Sequence, residues 1–428
     1  MNLMNLKNRM SGSAAAMTLT LGLICQALPA TAQVSPEASA KARKDLTAWL
    51  AEPRANRSCL TNAPFSSVPL TKEDAAAALS ALWKDQADYL RETRSAEIQN
   101  KLIEVDGVKM KFQMLSFTNA PATNGRSLFL SMHGGGGAPH DVNESQYVNQ
   151  VRLGNAYKPA EGIYLAPRAP TDDWDLWHKS HIDDCFDRLI EDLVVLSNVN
   201  PNRVYILGYS AGGDGVYQLA PRMADRLAAA SMMAGHPNDA SPLGLRNLPF
   251  AIQVGANDAA YKRNEVAAEW GKKLDDLQKA DPGGYVHFTE LHEGKGHWME
   301  LQDRKAIPWM EKYTRIPYPE KVVWRQSGVT HDRFYWLARP NSEVAKGQLI
   351  TAERKGQVIT LSSTNAQTVT VLLNDAMLNL DEPVEIRSGE ATLAKKRLSR
   401  SIATLSRTLT ERNDTNLTFS AEATVKLP

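Results

Sequence analysis

The stretch YILGYSAGGDG contains Gly208-Tyr209-Ser210-Ala211-Gly212, a Gly-x-Ser-x-Gly placed directly after the apolar run Arg203 to Leu207. Small residues on both sides of the serine allow a sharp strand-to-helix turn that lifts its hydroxyl above a sheet. In that context Ser210 is a candidate nucleophile rather than part of a packed turn. A serine hydroxyl is a weak nucleophile near neutral pH and needs a base within hydrogen-bond reach. Among the 9 histidines, His297 lies in Glu293-Gly294-Lys295-Gly296-His297-Trp298, a loop after the last expected strand, where a side chain can turn over the top of the sheet. His292, at the end of that strand, is the reserve, and His287 alternates within it and reads as structural. The chain order nucleophile, acid, histidine places the orienting acid between Ser210 and the base. Asp258, in Gly255-Ala256-Asn257-Asp258 after the run Phe250 to Val254, has that position, and Asp239 on the preceding loop is the alternative. The chemistry implied is acyl transfer through a covalent intermediate.

A second stretch, His133-Gly134-Gly135-Gly136-Gly137, asks for an explanation of its own. Glycine loses more backbone entropy on folding than any other residue, so such a run is either a loose linker or a place where backbone approaches something closely. It follows the apolar run Leu128 to Met132, and ligands of parallel sheets gather at the carboxyl ends of strands, which disfavours a linker. The run lacks the lysine and following hydroxyl of a phosphate loop, so no nucleotide is expected. Trp174, Trp177 and His178 follow the run Ile163 to Ala166 and are candidates for lining a substrate pocket. His178 and His181 beside Asp183 and Asp184 could suggest a metal, but a polar helix start is the preferred interpretation. No metal or other cofactor is expected.

These residues need a frame. Short apolar runs at Leu128 to Met132, Ile163 to Ala166, Arg203 to Leu207, Ala229 to Ala234, Phe250 to Val254 and Val286 to Leu291 look like strands buried on both faces. Between them, Phe186, Leu189, Ile190, Leu193 and Val194 repeat at helical spacing, as do Val266, Trp270, Leu274 and Leu277. The alternation predicts an α/β domain over residues 101–319, with a mostly parallel sheet and helices on both faces. Residues 33–100 are Ala-rich and predict a helical N-terminal extension, with Thr71 and Asp74 as a capping box. Beyond Pro317 and Pro319, alternation at Val369, Val371 and Leu373 and at Val384 and Ile386 predicts a small, mainly β C-terminal domain over residues 320–428.

The chain of 428 residues carries 49 Lys and Arg against 48 Asp and Glu, a net charge of +1 that leaves no electrostatic footprint for nucleic acid. Residues 1–32 read as a signal peptide: Lys7 and Arg9, an apolar stretch from Ala14 to Leu28, then the small residues Ala30-Thr31-Ala32. The apolar stretch is short for a membrane anchor, and Ile24 before Cys25 does not suit a lipidation site. A secreted or periplasmic protein is expected, with no membrane association after signal removal. Cys59 and Cys185 would then remain in an oxidising compartment, either bridged or as separately buried thiols.

Ser210, His297 and Asp258 in this order, together with the glycine run, resemble the α/β-hydrolase superfamily over roughly Lys101 to Tyr313. Within it the chain is similar to secreted esterases of the polyhydroxybutyrate-depolymerase and feruloyl-esterase type and to the prolyl-oligopeptidase-like catalytic domain. The resemblance implies Ser210 as nucleophile, Asp258 as orienting acid and His297 as base. It also implies that the glycine loop carries an oxyanion hole, with Gly135 or Gly136 and Ala211 as backbone donors. The activity expected is that of a secreted serine hydrolase on a small-molecule or polymeric carboxylic ester. A peptidase on the same residues, and a non-catalytic carbohydrate-binding or adhesion protein, are the alternatives.

Overall fold

The computed structural model describes Val34–Pro428 apart from Pro121 and Thr123, so the expected signal peptide lies outside the described residues. In chain order the first elements are α1 (Pro36–Ala51), α2 (Lys72–Asn100), β1 (Leu102–Val105), β2 (Val108–Thr118), β3 (Arg126–Met132), α3 (His140–Tyr157), β4 (Glu161–Pro167) and α4 (Ser180–Leu196). They are followed by β5 (Val199–Tyr209), α5 (Ala211–Arg222), β6 (Ala229–Met233), β7 (Phe250–Gly255), α6 (Arg263–Ala280), β8 (His287–His292) and α7 (Ala306–Met310). All six apolar runs of the sequence are strands here, β3 to β8.

These strands form an 8-stranded sheet in the order β1-β2-β4-β3-β5-β6-β7-β8. Pairing is parallel from β4 through β8, while β1 and β2 run antiparallel at one edge. β3 to β7 are covered on both faces: one face packs Leu128, Leu130, Ile206 and Ile252 into the largest core, the other packs Phe129, Tyr205, Leu207 and Ala251 against α3 and α7. Period-2 alternation therefore divides a continuous apolar run between two cores. This strand order, with a tight turn from β5 into α5, is the α/β-hydrolase fold. It gathers the ends of β3, β5, β7 and β8 along one rim, where the glycine run, Ser210, Asp258 and His297 follow in turn.

The rest of the chain packs onto this frame. The C-terminal strands are β9 (Lys321–Arg325), β10 (Arg333–Phe334), β11 (Leu337–Ala338), β12 (Leu349–Lys355), β13 (Val358–Thr364), β14 (Thr368–Leu373), β15 (Val384–Ser388), β16 (Ala391–Lys396) and β17 (Ala421–Lys426). They make a 5-stranded sheet, β16-β15-β13-β12-β9, and a 4-stranded sheet, β10-β11-β14-β17. A helix that periodicity did not suggest, α8 (Ile402–Thr410), separates β16 from β17. Its Ile402, Leu405 and Leu409 pack against Ala42, Leu46, Ala78 and Leu82 of α1 and α2, so the N-terminal extension gains a core by covering a C-terminal helix. Thr71 caps α2 by accepting the Asp74 N–H at 3.2 Å.

No gap in packing separates the β-rich part from the hydrolase sheet, because Val322, Trp324, Phe334 and Trp336 share one core with Leu245, Phe250 and Trp270. Buried charges reinforce the joint: Asp414 pairs with Arg315 at 2.6 Å, and Arg226 lies 3.7 Å from the same carboxylate. Cys185 is buried and Cys59 exposed, and both are free thiols. The picture of two separately buried thiols is therefore corrected at Cys59, which sits in the polar N-terminal loop before α2.

Candidate active site

Ser210 sits between β5 and α5 with φ 58° and ψ −120°, a backbone conformation that is strained for a residue with a Cβ. The flanking glycines make the turn possible. A Cβ at Gly208 would stand 2.2 Å from the Gly212 carbonyl oxygen, and one at Gly212 would stand 2.2 Å from that of Met132. The spacing Gly-x-Ser-x-Gly thus reflects backbone packed against backbone on either side of the serine.

The loop after β8 brings His297 over this turn. Its Nε2 lies 3.0 Å from Ser210 Oγ, and its Nδ1 lies 2.8 Å from Asp258 Oδ2. Asp258, on the loop after β7, is 2% exposed. A buried carboxylate on Nδ1 keeps a proton there and turns Nε2, with its lone pair, toward the serine. The other histidines considered are engaged elsewhere. His292 is buried with Nε2 on Gln253 Oε1 at 2.8 Å, and His287 is held between the Tyr285 carbonyl and Asp275. Asp239 is exposed and lies 3.2 Å from both Gln218 and Lys346, away from His297.

The glycine loop bends past the serine with φ of 110° at Gly135, 77° at Gly136 and 65° at Gly137, three successive conformations that side-chain-bearing residues avoid. Its shape is set from two sides. His133, fully buried, accepts the Ala169 N–H on Nε2 at 3.1 Å, so Nδ1 carries the proton and donates to the Gly134 carbonyl at 2.5 Å. Burial pushes its imidazole down to about 4, so it stays neutral. Asn143, also fully buried in the first turn of α3, accepts the Gly136 N–H on Oδ1 at 3.0 Å and donates to the Ala138 carbonyl at 2.9 Å. The Gly136 N–H is therefore committed to Asn143. Ala211, the first residue of α5, has no intrahelical partner for its N–H and stands beside Ser210.

Two cavities open on this rim. One of about 790 Å³ runs along α3 and includes Ser210, His297, Tyr209 and Trp298 in its wall. The other, of about 250 Å³, is walled by Trp174, Ala211, Asp214, Tyr261 and Arg263. Of the three residues expected to line a substrate pocket, Trp174 is in the wall of the smaller cavity and is 64% exposed. Trp177 is instead fully buried and donates its indole N–H to the His133 carbonyl at 2.9 Å, bracing the glycine loop from below. His178 packs edge-on behind Trp174 and is in the wall of neither cavity. Asp183 is taken up by Arg222 and by His331, whose Nε2 is 2.7 Å away, so the polar start of α4 is an ion-pair joint.

Several residues at this site carry no sequence signal that marks them. Asn143 and Arg263 look like ordinary helix-start polar residues. Asp214 occupies the first turn of α5, where burial pushes its carboxyl up to about 6 against the hydrogen bond from the His236 N–H. Tyr209 was visible only as the variable residue before the serine. Its hydroxyl donates to the His297 carbonyl and accepts the Met299 N–H at 3.2 Å.

No family model matches the chain. A curated protein of Nocardia uniformis subsp. tsuyamanensis, described as "Putative esterase NocK", is 28% identical over 150 residues, which is 33% of this chain and 44% of that protein. The chain thus matches less than half the length of this relative. Among solved structures, a thermostable esterase is 18% identical with a TM-score of 0.38, over 50% of this chain and 62% of that one. Est1E from Butyrivibrio proteoclasticus is 15% identical with a TM-score of 0.33, over 49% and 97%. The fluorophosphonate-binding serine hydrolase FphF of Staphylococcus aureus is 14% identical with a TM-score of 0.32, over 47% and 98%.

Proposed function

We propose that this protein is a serine hydrolase that cleaves carboxylic esters through an acyl-enzyme, with Ser210, His297 and Asp258 as its triad. The observation that carries the proposal is the unbroken hydrogen-bonded line from buried Asp258 through His297 to a serine on a strained turn. In the first half-reaction His297 Nε2 takes the Ser210 proton as Oγ bonds to the ester carbon. The backbone N–H groups of Gly135 and Ala211 receive the charge that develops on the carbonyl oxygen. His297 then returns the proton to the departing alkoxide, leaving the acyl group on Ser210. Water repeats the sequence on the acyl-enzyme and frees the acid. Asp258 stays ionised and stabilises the imidazolium formed in each half.

The test is hydrolysis of short p-nitrophenyl esters by the purified protein, with labelling of Ser210 by a fluorophosphonate. The expected result is turnover with a burst of nitrophenol and a label on that residue. A folded protein that neither turns over esters nor takes the label would refute the proposal. Export is part of the same proposal, motivated by residues 1–32, and N-terminal sequencing of protein recovered outside the cytoplasm is expected to begin near Gln33.

A further inference from the structure

The two cavities differ in walls and in chemistry, and the reaction assigns them different halves of an ester. They share Gly135 and Ser210 but little else. The larger contains His297, which must reach the leaving oxygen to protonate it, so the alcohol lies on that side. The acyl substituent leaves the carbonyl carbon in a different direction from the alcohol, and the smaller cavity, which also meets Ser210, is the space on that other side.

The larger cavity presents mostly apolar surface, from Val142, Leu153 and Ala156 of α3, Ala138 just before it, and Trp298 and Leu301, interspersed with polar side chains of α3. Trp298 is 50% exposed and Val142 38% exposed, which leaves apolar surface for an alcohol to cover. The smaller cavity is more polar, with Arg263, Asp214, His236 and Asn238 beside the rings of Trp174 and Tyr261. The Arg263 guanidinium stands over the Tyr261 ring at 4.8 Å and donates from Nη1 to the Ala260 carbonyl at 3.3 Å. Asp214 accepts the His236 N–H at 2.6 Å and faces the same space. Asp258 Oδ1 lies 3.7 Å from Arg263. The Asp258 carboxylate beside the guanidinium, with Asp214 in the same wall, offsets its charge and disfavours an anionic group. A neutral hydroxyl, which both donates and accepts, matches this lining.

Resting on the esterase proposal, we infer that the substrates are esters of a short, neutral hydroxy acid with a long or bulky apolar alcohol, the acid's hydroxyl being recognised by Arg263 and Asp214 and the alcohol lying along α3.

The test measures kcat/KM for four esters, glycolyl and the isosteric propionyl each on ethanol and octanol, together with a malonyl half-ester, in the wild-type protein and in two variants. Comparing ratios between proteins cancels the different intrinsic reactivities of the acyl groups. Arg263→Met is expected to lower the glycolyl-to-propionyl ratio roughly ten- to hundred-fold, the loss of a hydrogen bond to a charged group. The octyl-to-ethyl ratio should stay within about threefold, since that wall is separate. Val142→Trp is expected to do the converse, lowering the octyl-to-ethyl ratio and sparing the acyl ratio. If Arg263→Met does not fold, Asp214→Asn provides the acyl-side variant. Crossed effects, unchanged ratios, or a malonyl ester preferred over glycolyl would each overturn the inference while leaving the esterase proposal standing. Loss of the esterase proposal itself would show differently, as no turnover of any ester and no fluorophosphonate label on wild-type protein.

Discussion

The hydroxyl of Tyr209 donates a hydrogen bond to the main-chain carbonyl of His297, so the residue beside Ser210 holds the loop that carries His297. The Met299 N–H closes the clasp from the other side, and the Tyr209 ring lies 5.9 Å from both the His297 and the Trp298 rings. Removing the hydroxyl leaves this ring packing and frees the loop. Tyr209→Phe is expected to lower kcat about ten- to hundred-fold through misplacement of His297, with a smaller change in KM. Steady-state kinetics check this; equal activity in the variant would mean the loop is positioned by packing alone.

Replacing the acid should separate it from its neighbour on the earlier loop. Asp258→Asn is expected to reduce kcat by about 10⁴-fold by favouring the wrong imidazole tautomer. Asp239→Asn, on an exposed carboxylate bound to Lys346, is expected to leave the rate close to wild type. Ser210→Ala should abolish turnover and keep the fold, as circular dichroism and thermal melting would show.

Asn143 shapes the glycine loop, and its side chain leaves no room beside Gly135, where a Cβ would stand 2.2 Å from Asn143 Oδ1. Gly135→Val is expected to lower kcat by roughly a hundred- to a thousand-fold, the scale of one lost oxyanion donor. Asn143→Ala should give a similar though smaller loss. Binding of a transition-state-like boronic acid should weaken in step with kcat in both variants, whereas KM for the ester should move little.

Acid should loosen the same loop. His133 has an imidazole lowered from 6.5 to about 4 by burial, so its contribution to stability is complete above pH 6.5 and is lost as pH falls through 4. The contribution is on the order of 3 kcal/mol. His178, lowered to about 4 chiefly by burial, acts in the same direction. Urea midpoints measured between pH 7.5 and 4 are expected to fall for the wild type and to fall less steeply for His133→Asn.

The C-terminal strands should prove inseparable from the hydrolase sheet. A chain ending at Glu320 would expose the partners of Val322, Trp324 and Trp336 and is expected to be insoluble. Asp414→Ala keeps the chain complete but leaves Arg226 and Arg315 buried without their shared carboxylate, at a cost of about 3–5 kcal/mol. Urea denaturation measures that loss, and a change below 1 kcal/mol would show that the joint is held by apolar packing alone.

How much of this was legible in the residues follows from the range of each interaction. Local patterns carried the sheet: continuous apolar runs at Leu128, Ile163, Val204, Ala229 and Phe250 reflect burial on both faces, a property each strand shows in its own sequence, whereas the run at Phe288 forms the edge strand β8 and is only partly buried. The glycines around Ser210 were legible for a similar reason, since a turn that tight excludes a Cβ whatever surrounds it. The distances from His297 to Ser210 and to Asp258 were not, because they depend on where two loops from different strands come to rest. The same holds for the Gly136 N–H, which is taken up by the Asn143 side chain reaching back from a helix. It holds for Trp177, drawn into the core to brace His133 instead of lining a pocket, and for α8, whose apolar face has meaning only against α1 and α2. The pairings of Arg315 with Asp414 and of Tyr209 with His297 join residues 99 and 88 positions apart. A hydrogen bond or ion pair of this kind leaves no periodic trace, because neither partner's neighbours in the chain need change to accommodate it.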